Sequence, residues 1–292
     1  MDASEWWSER AGLDGTVAIV TGGAGGLGEA ITLDLQANGV HVAIVDRDAD
    51  AVARISTELE RRGSDAIVHV GDAREPATLD ALFGAAAERW GRLDTLVNVV
   101  GGTFRSPFSE QGSRAWDALI RTNLTHVLHA TSLAIPAMRA GGRGGSIINL
   151  TTIEGHRAAP NFAVYSAAKA AVAHFARTLA VELAPDRIRV NCVAPDLTPT
   201  PNMLGISGDS PSAMLDPLNV RVSIPMGRLG VPSDISNAVI FLASGLSSYI
   251  TGTTLHPDGG TLASSGWFNW PGEGFANTLP ASVLGQLQPE AE

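Results

Sequence analysis

Short runs of β-branched and aliphatic residues alternate with amphipathic stretches along most of the chain. The runs at 17–20, 41–45, 66–70, 95–98, 146–150, 188–193 and 254–256 predict strands. Between them, apolar positions recur at helical spacing over 27–38, 50–62, 76–90, 114–139, 162–183 and 235–243. The punctuation agrees. Gly39 and Gly63 follow the first two helices, Pro76 opens the third, and Pro185 stands just beyond the fifth. Pro136 sits near the end of the 114–139 stretch, where it is expected to kink or end that helix.

Strands that are apolar throughout, each followed by a helix, imply a parallel sheet covered on both faces. The predicted class is therefore α/β, a Rossmann-type doubly wound parallel sheet in three layers. One domain over 16–262 is expected. It would be preceded by a polar extension at 1–15 and followed by an irregular tail at 263–292 that carries Trp267, Phe268 and Trp270. Residues 197–231, rich in Pro, Gly and Ser, predict a mobile substrate loop with a short helix inside.

Composition narrows the picture. The 292 residues are 45% hydrophobic and 17% charged, a globular balance. A formal net charge of −10 argues against nucleic acid or an anionic membrane as partner. The single cysteine, Cys192, permits no intrachain disulfide and reads as a buried, inert thiol. No apolar run approaches the length of a membrane span, and residues 1–15 lack the features of a signal peptide. A soluble, cytoplasmic protein is expected.

The first turn, Thr21-Gly22-Gly23-Ala24-Gly25-Gly26-Leu27-Gly28, follows a strand and opens a helix. In that context glycine at 22 allows a tight turn, at 26 close approach of a pyrophosphate, and at 28 close packing of helix on sheet. The helix N-terminus offers N–H donors and partial positive charge to phosphates. Asp46, at the end of the second strand, is placed to accept bonds from ribose hydroxyls and to repel a 2′-phosphate. Arg47 beside it offsets this only in part, so NAD is favoured over NADP.

A second pattern follows the fifth strand: Asn149-Leu150-Thr151-Thr152, then Tyr165-Ser166-Ala167-Ala168-Lys169. With the glycine turn and the order of elements, it resembles the short-chain dehydrogenase/reductase family over about residues 13–262. Tyr165 and Lys169 are four apart and share a helix face. A neighbouring ammonium is expected to lower the phenol's pKa. The resemblance implies that Tyr165 exchanges a proton with a substrate hydroxyl or carbonyl during hydride transfer, and that Lys169 also bonds the nicotinamide ribose. Thr152 stands where the family usually has the substrate-orienting serine, and Asn123 matches its catalytic-site asparagine. Asn98, Asp72 with Ala73, Pro195 and Thr200 match cofactor-contacting positions. Asp196 replaces a usual glycine, and serves either as a substrate contact or as a solvated turn residue.

The resemblance implies that the segment holding His156 borders the substrate, which makes His156 a candidate for lining the pocket. His126 and His129 are taken as helix residues, and no metal site is expected. Met203 and the apolar residues up to Ile224 suit a lid over the substrate. The resemblance implies a small-molecule substrate and a homo-oligomer, a tetramer or else a dimer. The leading expectation is an NAD-dependent secondary alcohol dehydrogenase or carbonyl reductase. Its substrate would be bulky, apolar or cyclic, of steroid, terpenoid or cyclic diol class. The alternatives are a non-catalytic NAD-binding sensor or scaffold and an NADPH-dependent 3-oxoacyl reductase.

Overall fold

The computed structural model describes residues 3–201, 203, 215–280 and 282–284. Seven parallel strands form the central sheet: β1 (Val17–Thr21), β2 (His41–Asp46), β3 (Ile67–Val70), β4 (Thr95–Asn98), β5 (Gly145–Leu150), β6 (Ile188–Val193) and β7 (Thr254–Leu255). Their spatial order is β3-β2-β1-β4-β5-β6-β7. The chain therefore winds outward from β1 in one direction and then restarts at β4 in the other. A crevice opens where the direction switches, beyond the carboxyl ends of β1 and β4.

Alternate residues of each strand face opposite layers. Ala18, Val20, Val42, Ile44 and Ile148 pack with α2 (Gly26–Ala37), α3 (Ala49–Arg61) and α9 (Pro232–Ala243). Val17, Ile19, Ala43, Val45 and Ile147 pack with α4 (Pro76–Trp90), α6 (His126–Gly141) and α7 (Ala163–Glu182). Each face is thus sealed by three helices, which is why the strands are largely apolar on both sides. The three-layer α/β fold is as expected.

Four local features depart from the expected pattern. The 114–139 stretch is two helices, α5 (Ser113–Ile120) and α6, joined by a π-helical turn over Arg121–Thr125. The extra residue in that turn leaves no trace in hydrophobic spacing. Nor does Pro136 end α6, which continues to Gly141. The polar N-terminal extension folds as α1 (Ala3–Ala11), and Ala11 and Leu13 join the core. The tail is not irregular throughout. After the single turn α10 (Thr261–Ser264), an antiparallel hairpin pairs β8 (Phe268–Trp270) with β9 (Gly274–Ala276). It turns through Gly272 and Gly274, both at positive φ. The remaining helix, α8 (Pro217–Ser223), packs against β8. Residues 204–214, which hold most of the expected lid, lie outside the described residues.

Ile148 is fully buried in the middle of the sheet. Ile148→Ala is expected to cost about 2–5 kcal/mol, read as a lower urea midpoint with an unchanged m-value.

Candidate active site

The β1–α2 turn is built on close backbone contact. Gly22 has φ +69° and Gly26 φ +56°, both left-handed. A Cβ on Gly28 would lie 1.8 Å from the Gly22 carbonyl oxygen, so the turn closes only over a hydrogen. Gly23 is equally constrained, since a Cβ there would sit 2.8 Å from Ile44 Cβ. The spacing argument had passed over that residue and had assigned Gly28 to helix–sheet packing. No side chain caps the α2 N-terminus at Gly25, which leaves its first N–H groups for a ligand. Thr200 lies over Gly26, with its Cγ2 3.3 Å from a Cβ built there, and its Oγ1 accepts a bond from Met203 N at 3.3 Å.

Asp46 ends β2 at the same edge. Its carboxylate accepts from Ala24 N and Asp48 N, both at 3.2 Å. Asp72, after β3, is gripped by Arg74, with Nη2 donating to Oδ2 at 2.5 Å. That guanidinium holds the Asp72 carboxyl down to about 2. The neighbouring Ala73 is buried in the core. Asn98 is sealed inside the sheet, where its amide donates to Asn149 Oδ1 at 2.9 Å. Its side chain is thus a structural strut, and what this stretch turns to the crevice is Val99 and Gly101.

The crevice continues into a groove of ≈ 1200 Å³. Leu27, Thr152, Tyr165, Lys169, Pro195 and Thr200 all line it, so residues far apart in sequence meet in one place. Thr152 caps a short 3₁₀ turn, Ile153–Gly155, and its Oγ1 accepts from Glu154 N at 3.3 Å. The Tyr165 hydroxyl faces the Thr152 side chain. Lys169, one turn along α7, is buried and donates to Leu150 O at 2.8 Å. Behind it, Asn123 lies in the π turn. Its Nδ2 donates to Gly102 O and Leu119 O, and its Oδ1 accepts from Gly102 N. A Cβ on Gly101 would be 3.1 Å from Lys169 Nζ and 3.2 Å from Asn123 Oδ1. Gly101 is therefore a site residue, signalled in the sequence by its place after β4, at the end of the Asn98-Val99-Val100-Gly101 stretch.

Electrostatics correct one expectation. Burial pushes the Tyr165 phenol up to about 12, and Lys169 does not outweigh it. The phenol faces Thr152, while the ammonium is turned toward the Leu150 carbonyl. Burial also brings Lys169 down to about 8, so it still carries its charge at neutral pH. Tyr165 is thus a proton donor in this structure. Burial raises the Cys192 thiol to about 12, which keeps it inert.

The remaining candidates divide. His156 lines the groove and packs edge-on against His256, with centroids 4.8 Å apart. Asp196 also lines the groove, with its side chain only 9% exposed, so it is not a solvated turn residue. Met203 lines it too. His126 is buried at the end of the π turn, and desolvation lowers it to about 3. His129 lies 3.5 Å from Asp80 on the outside of α6. Among the described residues, no group of three or more His, Cys, Asp or Glu is placed to hold a metal ion. No helix among them is long and apolar enough to cross a membrane. Sequence reasoning missed Arg105 and Arg157 and left open where the tail aromatics pack; all three of Arg105, Arg157 and Phe268 line the groove.

A glycine-cradled helix N-terminus, an adjacent strand-end carboxylate and a Thr–Tyr–Lys set on one groove suit a nicotinamide-dependent oxidoreductase. A family model described as enoyl-(acyl carrier protein) reductase matches residues 22–261. The chain is 35% identical over 248 residues to a 2,5-dichloro-2,5-cyclohexadiene-1,4-diol dehydrogenase of Sphingobium indicum, covering 85% of this chain and 96% of the other. It is 35% identical over 257 residues to a 3β-hydroxysteroid dehydrogenase of Eggerthella lenta, covering 87% and 97%. Among solved structures, a 7α-hydroxysteroid dehydrogenase in complex with NADH and 7-oxo-glycochenodeoxycholic acid superimposes with a TM-score of 0.81. Its identity is 30%, over 89% of this chain and 98% of that one. The chain belongs to the short-chain dehydrogenase/reductase family. It is an enzyme of the oxidoreductase class, in a family that binds a nicotinamide cofactor.

Because position 28 has no room for a methyl group, Gly28→Ala is expected to weaken NADH binding by at least tenfold, measured by NADH fluorescence. Binding within twofold of the parent would show that the turn opens without cost.

Proposed function

We propose that this protein is an NAD-dependent dehydrogenase that interconverts a secondary alcohol and a ketone on a bulky, largely apolar or cyclic substrate. The observation that carries the reading is Tyr165 beside Thr152 on the wall of the groove, one helical turn from the buried Lys169. The glycine turn fits a dinucleotide, since its close backbone contacts leave the α2 N-terminus uncapped. When bound, the nicotinamide supplies the hydride acceptor or donor. Thr152 and Tyr165 hold the substrate oxygen between two hydroxyls. In carbonyl reduction the phenol gives its proton to that oxygen, a role that the raised pKa suits. In alcohol oxidation Tyr165 takes the proton back, and the Lys169 ammonium steadies the phenolate. Asn123 braces the backbone at Gly102 behind Lys169.

Asp46 supports the choice of cofactor. A carboxylate at the end of β2, with only the exposed Arg47 near it in sequence, favours ribose hydroxyls over a 2′-phosphate. The substrate class rests on the walls of the groove, where Leu262 and Phe268 of the tail join Met203 and Phe162.

Tyr165→Phe is expected to lower turnover at least a hundredfold while NADH affinity stays within twofold, measured by 340 nm absorbance and NADH fluorescence. Retained turnover would remove Tyr165 from the chemistry. Asp46→Ala is expected to narrow the preference for NADH over NADPH by at least tenfold in kcat/KM. An unchanged ratio would place cofactor selection elsewhere.

A further inference from the structure

Asp196 occupies an unusual place. Backbone bonds continue the β5–β6 pairing past the strand ends, with Thr151 N donating to Val193 O at 2.8 Å and Ile153 N to Pro195 O at 3.2 Å. Asp196 therefore lies about one strand spacing, ~5 Å, from the segment that carries Thr152. Its side chain is largely buried, and yet it lines the groove. Asp196, Leu197 and Ile224 also border a second cavity of ≈ 230 Å³, so there is room beside the carboxylate for a polar substituent.

Acceptor capacity is left over there. Arg157 Nη2 lies 3.9 Å from Asp196 Oδ1, beyond hydrogen-bond range, while the same guanidinium bonds Glu154 Oε1 at 2.8 Å. Thr261 is within reach, but its hydroxyl proton goes to Asp258 O at 2.8 Å. Asp258 in turn uses both carboxylate oxygens on backbone N–H groups, those of Gly260 and Leu262. Burial pushes the Asp196 carboxyl above its ordinary value, against the Arg157 charge. A buried carboxylate short of donors is costly, and a donor arriving with the substrate relieves that cost. A cationic donor would meet Arg157, and an anionic group would meet Glu154 and Asp196 together. A neutral hydroxyl suits the position.

We propose that Asp196 is a specificity-determining residue that binds a second hydroxyl next to the reacting one, making the substrate class a cyclic vicinal diol or hydroxyketone. The proposal rests on the dehydrogenase reading above and adds to it the identity of the substituent. It assigns a direction to the groove, with the reacting oxygen on Thr152 and Tyr165, the second hydroxyl on Asp196, and the carbon ring against the apolar wall that includes Phe268.

The test compares cis- and trans-cyclohexane-1,2-diol with cyclohexanol. Binding to the NADH-loaded protein is measured by calorimetry, and oxidation with NAD at 340 nm, for the parent, Asp196→Asn and Asp196→Gly. Melting temperatures establish that each variant is folded. In the parent, one diol is expected to exceed cyclohexanol at least tenfold in affinity and in kcat/KM, as a charge-assisted hydrogen bond implies. The gap is expected to shrink in Asp196→Asn and to vanish in Asp196→Gly. Equal handling of diol and cyclohexanol by the parent, failure to bind either, or a gap that survives in Asp196→Gly overturns the proposal. So does tighter binding of 2-aminocyclohexanol than of either diol, which would make the site one for an ammonium group. Selective diol binding without oxidation of any alcohol upholds recognition by Asp196 and sinks the dehydrogenase reading. Oxidation of diol and cyclohexanol at equal rates does the reverse.

Discussion

The buried ammonium of Lys169 is the constraint around which the site is arranged. A charge taken out of water is tolerated only with close polar partners, and burial already brings this amine down to about 8. Its partner is the Leu150 carbonyl at the end of β5, at 2.8 Å. Room for the ammonium exists because Gly101, beyond β4, has no side chain to occupy it. Asn123 closes the back of the same space by bonding the Gly102 backbone from the π turn. Three elements from different parts of the chain thus converge on one nitrogen. Tyr165 rides on the same helix as Lys169, so fixing the lysine also fixes the phenol at the wall of the groove.

The groove has two unlike ends. Toward α2 it is made of backbone, with glycines at positions where a Cβ would strike a carbonyl or an isoleucine. Toward β6 and the tail it is made of side chains, and these divide into an apolar wall and a polar corner at Asp196, Glu154 and Arg157. The first end suits a ligand recognised through phosphates and ribose, whose shape is the same throughout a cofactor's use. The second end is where the proposed substrate contacts lie. That division explains why the glycine turn is legible from spacing alone, while the substrate end required the assembled structure.

Much of the architecture was readable because its causes are local. A short apolar run bounded by turn residues reads as a buried strand, and all seven strands of the sheet were located within one residue of their ends. Tyr165 and Lys169 could be placed on one face because helical periodicity alone dictates it. Other features left no local trace. The π turn at Asn123 changes the register of a helix by a single residue, and the hydrophobic pattern on either side tolerates that. The tail hairpin has strands of three residues, too short for alternation to register. The N-terminal helix keeps Trp6 and Trp7 exposed and joins the core only at its end, so its attachment through Ala11 and Leu13 was not visible.

By itself, the sequence determined the order of strands and helices, the glycine turn, and the pairing of Tyr165 with Lys169. Each follows from residues within a few positions of one another. Only the tertiary structure decided that Gly101 lies against Lys169, that Phe268 of the tail walls the groove, and that Asp196 is buried beside Arg157 rather than solvated. It also decided that Tyr165 holds its proton, pushed up to about 12, where the neighbouring lysine alone suggested the opposite. The reason is common to all four. Desolvation and long-range contact depend on what surrounds a residue in space, and those surroundings are supplied by segments that lie tens of residues away.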